Sequence, residues 1–175
     1  MPATYKKINS VTVASTAAAI EFTSIPADYT DLLVYLSGRT TGTNSNGQGF
    51  CYLTFNGSSA NFTSRRLIQD GISAASDLGG RFAGFIPNSV ATTNTFGTLV
   101  LYLPNYTGNN NKSYSIDQGN ENNSSPNYLQ GLVAGLWSQT SAISSISFGS
   151  VIDSNGASAS FAANSTATLY GILKA

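Results

Sequence analysis

Carboxylates are the first place to look for chemistry in this 175-residue chain, which has eight Asp and Glu residues and no histidine. Histidine is the usual acid–base group near neutral pH, so its absence removes most hydrolytic triads and relays. Two carboxylates can still cleave a glycoside when one of them has a raised pKa. The candidates are Glu21, Asp70, Asp77, Asp117, Glu121 and Asp153. Asp28 and Asp31 belong to a turn over Ile25-Pro26-Ala27-Asp28-Tyr29-Thr30-Asp31, where short acidic side chains bond nearby backbone N–H groups. Glu121 stands in a polar loop, Gly119-Asn120-Glu121-Asn122-Asn123. No pair stands beside aromatic residues that would hold one member protonated. The expectation is a protein without catalytic residues.

Other chemistry is sparser still. Cys51 is the sole cysteine and lies in Phe50-Cys51-Tyr52-Leu53, where a buried small hydrophobe is expected. Asp153-Ser154-Asn155-Gly156 opens like a cation loop, but no glutamate occupies the twelfth position, and the same residues make an ordinary turn. No metal and no cofactor are expected. Two basic doublets, Lys6-Lys7 and Arg65-Arg66, are candidates for contact with an acidic partner. On a strand each doublet sends one charge to either face, and such charges also protect edge strands from unwanted pairing. Tyr106, Tyr114 and Tyr128 lie near polar loops, and Tyr106 and Trp137 are the candidates for stacking on a glycan. A core position for Trp137 is the stronger expectation, because it ends an apolar run.

Behind these residues stands an unusual composition. Ser (25), Thr (18), Asn (17) and Gly (17) are abundant, charged residues reach only 9%, and net charge is zero. A neutral surface gives nucleic acid no footing. It also lacks the repulsion that keeps small domains apart, which favours assembly. No apolar run approaches a membrane span, and no apolar segment follows Lys6-Lys7 to make a signal peptide.

Alternation dominates the chain, and about ten short strands separated by turns are expected. Leu32–Leu36 reads as a central strand buried on both faces. Phe50–Phe55 ends at Asn56-Gly57, a hairpin signal that should return Phe62–Ile68 to pair with it. Asp70–Gly79 reads as a short helix or loop. Thr95–Leu103 alternates most clearly. Tyr128–Trp137 fits either a helix or a strand, and Gly131 and Gly135 favour the strand. Gly38–Gly49 and Gly119–Asn127 read as polar loops. The chain should be one domain over residues 1–175, an all-β antiparallel sandwich of jelly-roll type.

Five segments carry a family likeness. They are Phe22–Leu32 with its Ile-Pro-Ala-Asp-Tyr, Leu53-Thr-Phe-Asn-Gly57, Phe96 with Tyr102-Leu-Pro-Asn-Tyr106, Gly135-Leu-Trp137, and Ala167-Thr-Leu-Tyr-Gly-Ile172. In this order they resemble small virion proteins of tailed phages, cyanophages included. The resemblance implies a non-enzymatic jelly-roll module: a homotrimer that decorates or cements the major capsid lattice on the capsid exterior, made in the host cytoplasm. It implies, as the alternative, a tail-fibre or receptor-binding tip that recognises host surface glycan. No functional residue carries over, since the shared segments look like turns and core strands.

Overall fold

The computed structural model describes residues 4–70, 74–121, 129–153 and 155–173. They form fourteen strands and no helix: β1 (Tyr5–Thr12), β2 (Thr16–Ala17), β3 (Ile20–Phe22), β4 (Asp31–Gly38), β5 (Gln48–Phe55), β6 (Phe62–Gln69), β7 (Ala74–Leu78), β8 (Phe82–Pro87), β9 (Gly97–Leu103), β10 (Lys112–Asn120), β11 (Leu129–Trp137), β12 (Ile146–Asp153), β13 (Phe161–Ala162) and β14 (Thr166–Ile172). The expected ten strands are thus too few. Ala74–Leu78, expected as helix or loop, is a strand. The loop expected over Gly119–Asn127 is described only to Glu121, and its first two residues, Gly119 and Asn120, belong to β10; Tyr128 and Ser154 lie outside the described residues.

An eight-stranded antiparallel sheet runs β1-β14-β4-β9-β10-β11-β6-β7, and a four-stranded one runs β3-β12-β5-β8. The two pack as a β-sandwich, with β8 lying against β9, β10 and β11. Alternation sets the core. On β9, Leu99, Leu101 and Leu103 are buried while Thr98 and Tyr102 are exposed. Facing them from the small sheet are Cys51, Leu53, Phe55, Phe82, Ile146 and Phe148. β4 departs from the expected two-sided burial: Leu32, Leu33, Val34 and Leu36 are buried, but Tyr35 projects to the outside at 51% exposure.

The Asn56-Gly57 turn does not make the expected hairpin. β6 pairs with β11 and β7 in the large sheet, while β5 pairs with β12 and β8. Asn56 explains part of this. Its Oδ1 accepts from the N–H groups of Ser144 and Ser145, and its Nδ2 donates to the carbonyl of Ala142. It fastens the loop before β12 rather than a returning strand. Crossing to the other sheet also lets Phe62 pair with Trp137 and meet Phe55 at 5.3 Å between ring centroids.

The abundance of asparagine has a backbone cause. Asn56, Asn61, Asn94, Asn105 and Asn164 all adopt positive φ, joined only by Ser24 among the described non-glycine residues. Asparagine tolerates the left-handed region better than other side-chain-bearing residues.

Candidate functional site

The basic doublets separate in the structure. Lys6 and Lys7 lie exposed on β1, an edge of the large sheet, and their side chains have no hydrogen-bond partner among the described residues. Arg65 and Arg66 lie on β6, which is not an edge because β7 covers it. Arg65 points outward, and its side chain has no partner among the described residues. Arg66 points toward the small sheet, with its guanidinium 4.3 Å from the Phe82 ring centroid. Its Nε donates to Asp77 Oδ1 at 2.6 Å and a second nitrogen reaches Oδ2, a two-pronged pair. That hydrogen bond holds the Asp77 carboxyl below its ordinary range. Arg66 therefore closes one end of the sandwich, and as a partner contact it is corrected: its charge is satisfied within the chain.

The two glycan candidates are also corrected. Tyr106 is fully buried, and its hydroxyl donates to the carbonyl of Pro26. Burial raises its pKa. Trp137 is 2% exposed and packs against Phe55 and Phe62 at centroid distances of 5.6 and 6.2 Å. Neither ring presents a face to solvent, so neither can stack on a sugar. The core position expected for Trp137 is what the structure shows.

Glu21, Asp31, Asp77 and Asp153 serve structural roles, whereas the Asp117 carboxylate has no partner among the described residues. Glu21 accepts from the Ser147 hydroxyl at 3.1 Å. Asp31 accepts from the Tyr102 hydroxyl and from the Asn105 N–H, each at 2.8 Å. Asp153 accepts from the N–H groups of Asn155 and Ala157 at 2.9 Å, which is the turn reading of that motif. Among the described residues, no three His, Cys, Asp or Glu side chains gather to hold a metal ion. Cys51 is fully buried, and burial pushes its thiol to a pKa of about 12.

The polar loops are likewise turned inward. Asn88 is buried and donates to both the carbonyl and Oδ1 of Asn44. Arg39 fastens the loop after β8 through the carbonyls of Ala91, Thr92 and Thr95. Lys112 is the least foreseen of these groups. It has no exposed surface, and its Nζ donates to the carbonyls of Gly108 (2.6 Å), Asn110 (2.5 Å) and Thr140 (3.2 Å). Burial lowers its pKa. Sequence offered one signal, its place as the sole cation in a run of Gly and Asn.

What remains outward is a surface rather than a cleft. The registers of β1, β14, β4, β9, β10, β11, β6 and β7 place Tyr5, Tyr35, Tyr102, Leu132, Leu67 and Leu78 on the outer face of the large sheet. Those are six of the seven exposed large hydrophobic side chains among the described residues; the seventh is Val90. A shallow groove of about 560 Å³ crosses this face at Asp117, between Leu67, Val100 and Leu132.

The chain matches no protein-family model and no curated protein sequence.

Proposed function

We propose that this protein is a non-enzymatic structural component of a phage virion. It acts as a capsid decoration or cement protein, a homotrimer bound to the outside of the major capsid lattice. The sequence likeness to small phage virion proteins motivates the reading. The single structural observation that supports it best is the concentration of exposed apolar side chains on one broad sheet face. A module that works by assembly needs such a contact surface. The dispersal of carboxylates into turns and hydrogen bonds fits the same reading. So does the closure of polar loops on their own backbones, which makes a rigid block.

A sandwich of jelly-roll type is part of this proposal. The chain crosses between sheets at β3–β4, β4–β5, β5–β6, β7–β8, β8–β9 and β11–β12, as such folds do, while β9–β10–β11 forms a meander within one sheet. The receptor-binding alternative loses Tyr106 and Trp137 as its contact residues.

Binding to the assembled shell would stabilise it by linkage. The test is to add purified protein to genome-filled particles that lack it and to image them by cryo-electron microscopy. Regular density on the icosahedral lattice is the expected result. Unchanged particles, with equal heat resistance before and after addition, would refute the proposal.

A further inference from the structure

The outer face of the large sheet combines three properties that rarely meet on a monomer. It is broad. Eight strands spaced about 4.8 Å apart and about 25 Å long span on the order of 900 Å², against the roughly 800 Å² per partner of a standard stable interface. It is apolar, carrying Tyr5, Tyr35, Tyr102, Leu67, Leu78 and Leu132. It carries few charges, of both signs: Lys7 on the β1 edge, Asp31, Asp117 and Arg65. Asp31 is committed to Tyr102 and Asn105. Asp117 and Arg65 make no hydrogen bond or ion pair with any described residue, although both stand among apolar neighbours.

Their placement is specific. Asp117 pairs across to Leu132, and Leu132 pairs in turn to Leu67, so the three form one row across β10, β11 and β6. Arg65 stands two residues along β6 from Leu67, beside Leu78 and Ala134 and over a second hollow of about 450 Å³. Carboxylate and guanidinium therefore flank a single apolar centre, each beside its own hollow. A long cationic side chain laid in the Asp117 groove would bury its stem against Leu67, Val100 and Leu132 and bring its head to the carboxylate.

We infer that this face is the contact between copies of this chain, with Arg65 of one copy docking in the Asp117 groove of the next. A twofold axis would make the exchange reciprocal, and a threefold axis would pass it round a closed ring. The apolar row supplies the contact area, and the two charges set its register. This assignment rests on the proposed reading of the chain as an assembling structural protein and names the partner for that surface.

Sedimentation velocity and native mass spectrometry of the purified full chain test it over a wide concentration range. Wild type should form one discrete oligomer. Leu132→Glu, Asp117→Arg and Arg65→Asp should each weaken self-association by about a hundredfold or more, since each leaves a charge buried without its partner. The double swap Arg65→Asp with Asp117→Arg should restore most of it. Glu21→Lys, on the outer side of the small sheet, should change nothing. Near-ultraviolet circular dichroism confirms that each variant is folded. A wild type that stays monomeric overturns the inference, as does a double swap as weak as its parents, or an equal loss from Glu21→Lys. The particle-binding experiment is independent. A monomer that binds particles through Leu132 overturns this inference and leaves the lattice-binding part of the proposed function standing, while an oligomer that binds no particle does the reverse.

Discussion

Tyr114 on β10 stands directly opposite Gly135 on β11, and its ring fills the space that a β-carbon at Gly135 would take. A Cβ built there would lie 2.0 Å from the ring. The ring cannot swing away freely, because Phe55 meets it edge-on at 5.7 Å and Phe62 at 6.3 Å. Gly171 repeats the arrangement under Tyr29, with a virtual Cβ 2.3 Å from that ring. Gly135→Ala should therefore cost about 1–3 kcal/mol, the usual range for overpacking a core. Denaturant melts measure it. Adding Tyr114→Leu should recover part of the loss, giving clear non-additivity between touching residues.

The Tyr114 hydroxyl is buried without a hydrogen-bond partner among the described residues, and burial drives its pKa well above the ordinary phenol value. Removing an unsatisfied buried hydroxyl should cost nothing. Tyr114→Phe is expected to be neutral or to stabilise the fold by up to about 1 kcal/mol. The contrast is Tyr106→Phe, which takes the donor away from the Pro26 carbonyl and should cost about 1–2 kcal/mol. Parallel urea titrations of the two variants check the difference in sign.

Lys112 gives the largest expected effect of a single charge. Three carbonyls converge on its ammonium, and no solvent reaches it. Lys112→Met keeps the stem but orphans those carbonyls, so it should destabilise by about 2–4 kcal/mol. The loop from Asn105 to Asn111 should lose amide-exchange protection first. Hydrogen-exchange mass spectrometry reads that directly.

These contrasts show where sequence reasoning succeeds and where it stops. The β9 alternation was legible because solvent and core impose a period of two. The choice of strand over helix for β11 was legible because Gly131 and Gly135 are poor helix residues. Asn56-Gly57 misled because a turn signal is local: it marks a tight turn and says nothing about which sheet receives the next strand. β7 left no pattern because every residue on it is exposed. Tyr106 looked available because it lies in a polar stretch, and only the approach of Pro26, eighty residues earlier, buries it. Alternation implied that Arg65 and Arg66 point oppositely, but Phe82 and Asp77 decide which one is consumed. The apolar outer face was hidden because its six exposed side chains come from six strands that are scattered along the chain.

Cys51 carries a pH dependence with a definite sign. Its thiol has a pKa of about 12 in the fold, against an ordinary value of 9.0. Between those values the unfolded chain releases a proton that the folded chain retains. The thiol's contribution to stability is thus fully present below pH 9 and declines above it, by about 1.4 kcal/mol per pH unit. Cys51→Ala removes this decline while adding a small constant cavity cost, so the gap between wild type and variant should close and then reverse as pH rises from 9 toward 11. The tyrosines with raised pKa values weaken both proteins alike at the upper end and cancel in the comparison. Urea melts at stepped pH measure this change in the gap, and a constant gap would contradict it. Thiol labelling gives a second readout. At pH 8 Cys51 should react with iodoacetamide only when the protein unfolds, since it is then both neutral and sealed between the sheets.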